Sequence, residues 1–277
     1  MNPFLTLGYS PCPNDTFLFY ALAHGRVPLA GLRRPPLLTD VETLNKRVLQ
    51  GRLAISKISC PTLAHVGGKY ALLRSGAALG RGYGPLVVAR KEYSRRCFIN
   101  ARIAIPGPRT SAHLLLRLWQ PDCRNLVELP FADILPALRR GEVDAGVIIH
   151  EGRFTYVDSG LLPIIDLGAW WKQLTGLPLP LGVVVARRNL GRQRIARIEA
   201  AVAASAAYAR SHPQQPLAYV RAHAREAEEP ASLRHIDLYV TDDTLDLGDE
   251  GRAAIAELLG RGAAGGLIPA FRVALDK

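Results

Sequence analysis

The stretch RIAIPGPRTSAHLLLRLW, residues 102–119, sets the architecture of the chain. Arg102 to Ile105 reads as a short strand, Pro106 to Ser111 as a turn of Gly, Pro and hydroxyl residues, and His113 to Trp119 as a helix. The chain's beginning has the same grammar. Phe4 to Tyr9 reads as a strand, Ser10 to Asp15 as a turn, and Thr16 to His24 as a helix with Asp15 or Thr16 as N-cap and Gly25 beyond its end. A strand–turn–helix that restarts mid-chain points to α/β architecture with a second unit of its own.

The flanking elements fit that reading. A helix opens at the capping-box pattern Thr39-x-x-Glu42, carries Val41, Leu44, Val48 and Leu49 on one face and closes at Gly51. Leu53 to Ser56, Tyr70 to Arg74 and Pro85 to Arg90 read as strands. Leu126 to Leu129 reads as a strand, Asp133 to Arg140 as a helix ended by Gly141, and Asp144 to Ile149 as an apolar strand ending at His150; Leu162 to Leu167 and Gly168 to Thr175 complete the block. Leu181 to Arg187 is a strong strand, and the last ninety residues are mostly helical. The expected organisation is two-lobed with a central cleft: residues 1–90 plus 182–277 as one discontinuous lobe, and 91–181 as an inserted one. The crossings fall in the turn-rich segments near Arg90 to Arg102 and Leu177 to Leu181, as boundaries between lobes tend to.

Composition excludes several classes. The chain of 277 residues is 48% hydrophobic and 21% charged, enough to bury a core without staples and too apolar for disorder. No apolar stretch approaches the ~20 residues of a spanning helix. MNPFLTLGYSPCPND lacks a basic n-region, an apolar core and a cleavage site, so the expected location is cytoplasmic. Cys12, Cys60, Cys97 and Cys123 lie far apart with no metal-ligand spacing, so neither a disulfide framework nor a metal site is expected. The net charge of +11 comes mainly from scattered Arg. Nucleic-acid binders concentrate charge with interleaved aromatics. Neither a nucleic-acid nor a membrane partner is expected, and the partner in view is a small molecule.

Ligands of α/β folds bind beyond the carboxyl ends of strands, where helix N-termini face the cleft. Four stretches meet that description: Ser10 to Asp15, Ser56 to Ser59, Gly107 to Ser111, and His150 at the end of Val147-Ile148-Ile149-His150. Taken singly, the first is more simply a rigid turn, and the second reads equally as a capped helix start with an exposed Lys or as a binding segment. The third is a cradle for an anion or a carbonyl. A histidine leaving a hydrophobic strand at the cleft edge, with an ordinary pKa near 6.5, suits general-base work. The other six histidines, His24, His65, His113, His212, His223 and His235, fall in or beside helices and read as structural. No G-x-S-x-G, P-loop, G-x-G-x-x-G or H-E-x-x-H motif is present, and nothing demands a cofactor.

Gly8-Tyr9-Ser10-Pro11-Cys12-Pro13-Asn14-Asp15-Thr16-Phe17 and Ile149-His150-Glu151-Gly152-Arg153-Phe154-Thr155-Tyr156 form a specific pair of signatures. Asp40 to Asn45, Ile55 to Ser59, Gly84-Pro85-Leu86 and Pro106-Gly107 with Thr110 lie between them in order. On these the chain resembles, over essentially its whole length, the 1,4-dihydroxy-6-naphthoate synthase family (MqnD) of the futalosine route to menaquinone. The resemblance implies the two-lobed fold of periplasmic solute-binding proteins (type 2). It also implies cofactor-independent carbon–carbon lyase chemistry, converting cyclic dehypoxanthine futalosine to 1,4-dihydroxy-6-naphthoate and dihydroxyacetone. It places the general base at His150 and substrate contacts at Ser56, Lys57, Thr110 and Ser111, the last through its backbone N–H. Lys57 would meet a substrate carboxylate, and Asn14 is expected to line the cleft. Two other readings compete. A non-catalytic solute-binding protein is opposed by the missing export signal and the placement of His150. The related chorismate dehydratase family lacks the SPCPNDTF opening.

Overall fold

The computed structural model describes residues 4–150, 152–224 and 229–271. Its strands, in chain order, are β1 (Leu7–Tyr9), β2 (Leu37–Leu38), β3 (Ile55–Ser59), β4 (Tyr70–Leu72), β5 (Ala78–Gly80), β6 (Leu86–Ala89), β7 (Ile103–Ile105), β8 (Leu126–Glu128), β9 (Ala145–Ile148), β10 (Leu162–Asp166) and β11 (Leu179–Arg187). They form two sheets. The first has the order β2-β1-β3-β11-β4 with β5 also on β11; the second has the order β10-β6-β9-β7-β8. Each contains a parallel triplet, β2-β1-β3 in one and β8-β7-β9 in the other. Strand β11 runs antiparallel to β3, and β6 antiparallel to β9.

The repeated strand–turn–helix grammar has a direct counterpart. Strand β1 leads into the helix Pro13–Ala23 and β7 into the helix Ser111–Trp119, while β3 and β9 lie beside them in register Gly8 to Ser56 and Ala104 to Gly146. The four stretches singled out in the sequence thus sit on or just after β1, β3, β7 and β9, the strands that pair in parallel within each mixed sheet. The α/β, two-lobed architecture follows from this layout.

One boundary differs from expectation. Residues 1–90 do not all belong to the first sheet, because β6 pairs with β9 and β10 in the second. The first crossing therefore precedes Leu86 and does not lie in the polar segment 90–102. Leu-Val-Val-Ala suits either sheet, and only pairing with residues 145–148 assigns it. Strand β5 runs into the Gly-rich stretch Gly80 to Gly84, whose composition by itself suits a connection.

Helix starts differ by one to three residues for clear reasons. Pro13 occupies the first turn of its helix, where its missing N–H costs nothing, so the N-cap is Cys12 and Asp15 lies inside the first turn. The next helix, Val41–Leu49, is capped by Asp40, whose carboxylate accepts from the Thr43 N–H at 2.9 Å; Thr39 is not the cap. Glu42, released from the expected capping box, faces the other lobe.

The helix Pro13–Ala23 is buried on nearly every side and packs against the helices Arg192–Ser211, Leu217–His223 and Glu229–Tyr239. An apolar cluster continues through both sheets, joining Ile58, Leu179 and Val183 to Val87, Ile103, Leu115 and Trp171. In the second lobe the helix Phe131–Arg140 lies so close on β9 that a Cβ at Gly146 would meet Ile134 at 2.6 Å.

Candidate active site

A cleft opens where the strand ends converge. Its walls come from opposite lobes. Ser10, Asn14, Asp15, Lys57, Ser59, His235 and Tyr239 belong to the first, and Thr110, Ser111, Ala112 and His150 to the second.

The first-lobe wall is a chain of polar groups that satisfy one another. Asp15 accepts from Ser10 Oγ at 2.8 Å and from Asn14 Nδ2 at 3.1 Å, and its carboxylate lies 3.3 Å from Lys57 Nζ. Lys57 Nζ also donates to the Gly76 carbonyl at 2.6 Å. Both partners of the ion pair are almost wholly buried. The attraction there is strong, because little water screens it. Asn14 Oδ1 in turn accepts from His235 Nε2 at 3.0 Å.

The second-lobe wall is organised by a helix N-terminus and a strand end. Thr110 caps the helix Ser111–Trp119, accepting from the His113 N–H and donating its own hydroxyl to the Gly107 carbonyl at 2.7 Å. Ser111 Oγ donates to the Leu181 carbonyl at 2.8 Å. Both hydroxyls are therefore engaged, and what this turn offers a ligand is the amide-lined positive pole of the helix. The approach of the turn to the first lobe is close. A Cβ at Gly107, where φ is +141°, would strike Glu42 at 2.6 Å. Buried Glu42 accepts from Arg109 Nη1 at 2.9 Å and from Asn45 Nδ2 at 3.2 Å, tying the lobes together. Burial raises the Glu42 pKa, while Asn45 and Arg109 pull it down.

His150 takes a left-handed conformation, φ 56°, rare for a non-glycine residue and typical of functional corners. The ring as a whole is partly exposed, but Nε2 is buried with no hydrogen-bond partner among the described residues. Phe131 meets it edge-on, with centroids 4.9 Å apart. Burial lowers the His150 pKa to about 4; Asp15 opposes the shift and Lys57 adds to it. At neutral pH the imidazole is therefore uncharged, with a lone pair able to take a proton. Glu151, in the same signature, lies outside the described residues.

The expected site residues fare differently. Asn14, Lys57, Thr110, Ser111 and His150 line one cleft. Ser56 does not: its hydroxyl donates to the Lys57 carbonyl at 2.8 Å, and strand alternation puts Ser59 on the cleft side with Lys57. Lys57, paired with Asp15, is no free counter-charge for a carboxylate. Asp15 reads in sequence as a cap, and His235 and Tyr239 as residues of an ordinary helix; all three belong to the site. Alternation along β3 was a usable signal for Ser59. For His235, 221 positions from Asn14, no local signal exists. The described residues contain no group of three or more His, Cys, Asp or Glu arranged to hold a metal ion, and no helix long and apolar enough to cross a membrane.

The 1,4-dihydroxy-6-naphthoate synthase of Thermus thermophilus is 49% identical over 263 residues, spanning 95% of each chain. The protein of the same name from Streptomyces coelicolor is 45% identical over 275 residues, with 96% of this chain and 95% of that one covered. A crystal structure from Archaeoglobus fulgidus superposes with a TM-score of 0.90 at 36% identity, covering 96% of this chain and 99% of the other. The periplasmic aliphatic sulphonate binding protein of Escherichia coli matches at 0.66 and 15% identity, over 99% of this chain and 91% of that one, which shows the periplasmic-binding-protein-like fold alone. A family model described as menaquinone biosynthesis matches residues 5–264, and with these relatives it shows that the chain belongs to the menaquinone-biosynthesis family, that of the 1,4-dihydroxy-6-naphthoate synthases.

Proposed function

We propose that this chain is a cytoplasmic, cofactor-independent carbon–carbon lyase that converts cyclic dehypoxanthine futalosine to 1,4-dihydroxy-6-naphthoate and dihydroxyacetone. The observation that carries this reading is His150: an uncharged imidazole whose buried Nε2 has no partner among the described residues, lining the same cleft as a helix N-terminus. Releasing an aromatic diol from a carbon–carbon bond needs a base to take a proton and fixed donors to hold negative charge. His150 serves as the base. The first-turn amides of the helix Ser111–Trp119 serve as the anion cradle, and the naphthoate carboxylate is assigned to them because Asp15 already neutralises Lys57. The Glu42–Arg109 tie holds the lobes closed over the substrate, keeping water from the reacting bond.

The test is turnover of cyclic dehypoxanthine futalosine by the purified protein beside its His150→Asn variant, with naphthoate followed chromatographically. Product from the wild type and a loss of ~10²–10⁴-fold in the variant support both the activity and the base. Equal product from both removes His150 as the base. No turnover by a wild type that still binds substrate replaces the enzyme reading with a solute-binding one.

A further inference from the structure

Three buried side-chain nitrogens among the described residues lack a hydrogen-bond partner, and two of them, His150 Nε2 and His235 Nδ1, belong to residues of the same cleft. Buried polar atoms are paired in the great majority of native structures, so orphans concentrated in a binding cleft point to a ligand. The proposed base accounts for the first. The second is unused, although His235 is only 2% exposed and its ring lies 5.9 Å, centroid to centroid, from that of His150.

The protonation of His235 follows from its neighbours. The Asp15 carboxylate only accepts, so Asn14 must turn its NH₂ group toward Asp15 and its carbonyl toward His235. A carbonyl facing Nε2 at 3.0 Å requires that Nε2 carry the proton. Burial, with His150 and Arg153 adding to it, lowers the His235 pKa well below its ordinary value, so the ring is neutral. Nδ1 is then a bare lone pair, an acceptor with no donor to meet. A carboxylate or carbonyl of a ligand would be repelled there, whereas a hydroxyl would be held.

We propose that His235 is a substrate-contacting residue whose Nδ1 accepts a hydrogen bond from a ligand hydroxyl, with Asp15 and Asn14 holding the tautomer that makes this possible. The inference rests on the reading of the cleft as the site of a hydroxylated naphthoate. It makes His235 a determinant of specificity for hydroxylated over unsubstituted rings.

The experiment is calorimetry under anaerobic conditions with two probes, 1,4-dihydroxy-6-naphthoate and 2-naphthoate, which shares the rings and carboxylate but lacks both hydroxyls. Wild type and His235→Phe are compared. The wild type is expected to prefer the hydroxylated probe, and the variant to lose about tenfold of that preference while its affinity for 2-naphthoate stays within twofold. The same preference in both proteins overturns the assignment of His235 and leaves the site reading standing. A wild type that binds neither probe overturns the site reading, and the proposal with it. Independently of any variant, ¹⁵N NMR of histidine-labelled wild type should show the His235 Nδ1 resonance, assigned through contacts to Tyr239, shifting with the hydroxylated probe and not with 2-naphthoate. A resonance that responds to neither overturns the proposal.

Discussion

The two walls of the cleft are built on opposite plans. On the first-lobe wall Ser10, Asn14, Asp15 and Lys57 spend their hydrogen-bonding capacity on one another, leaving little besides the His235 lone pair for a ligand. On the second-lobe wall the hydroxyls of Thr110 and Ser111 are also engaged, but the helix N-terminus and His150 line the cleft, and His150 Nε2 is unpaired among the described residues. A saturated network is rigid and of fixed polarity, so it positions. An unpaired base beside a helix N-terminus has chemistry left to do. Division of labour between the lobes explains why the ion pair with the greatest burial is not where the reaction is assigned.

The largest effect is expected on the second wall, where His150→Asn should lower kcat by ~10²–10⁴-fold with substrate affinity little changed. If Lys57→Met abolished turnover while leaving stability untouched, the contrast between the walls would be inverted. Instead Lys57→Met, which strands the buried Asp15 carboxylate, should cost ~3–5 kcal/mol in denaturant unfolding. Arg109→Gln removes a partner from buried Glu42 as well, yet Asn45 and the Arg109 backbone N–H remain and the Arg109 side chain is 36% exposed. Its cost, discounted for that solvent access, should be only about 1 kcal/mol. A rise in KM is its expected signature, because it loosens the tie between lobes.

The pH dependence sharpens the same contrast. His150 has a folded pKa of about 4, below the ~6.5 of the unfolded chain. Between these values the unfolded state binds a proton that the folded state refuses. The His150 contribution is therefore fully present above pH ~6.5 and is lost as pH falls toward 4. Glu42, raised by burial, acts in the opposite direction, so the measurement is the difference between wild type and His150→Asn across that window. Relative to the variant, the wild type should lose stability steadily with acidification across that window, and a flat difference would mean that His150 titrates normally. In kcat/KM the acid limb should lie below pH ~5 for the free enzyme. The smallest pair of effects distinguishes the faces of β3: Ser56→Ala should leave KM within about twofold, while Ser59→Ala, on the cleft side, should shift it more.

Much of this was legible without coordinates. Strand-to-helix turns at Ser10 to Asp15 and Gly107 to Ser111 announce themselves by Pro, Gly and hydroxyl residues, whose φ limits and capping ability are local properties. His150 stands out because an apolar strand ends on it. Repetition of the grammar in mid-chain gave two lobes and a cleft between them, and the signatures around residues 8–17 and 149–156 gave the family. These readings hold because backbone preferences and hydrophobic periodicity act over a few residues.

Other features depend on contacts between distant parts of the chain. Strand β6 joined the second sheet by pairing with β9, some sixty residues on, which no property of Leu-Val-Val-Ala could announce. Asp15 became the organiser of a wall, and no longer a cap, only when Lys57 was folded against it. His235 entered the site because the helix Glu229–Tyr239 packs on the helix Pro13–Ala23, 221 residues from Asn14 to His235. The sequence alone could therefore single out His150, the proposed base, and the turns. Which hydroxyls were already engaged, which lysine was already neutralised and which nitrogen was left unpaired followed from packing, since burial and pairing are properties of the assembled interior.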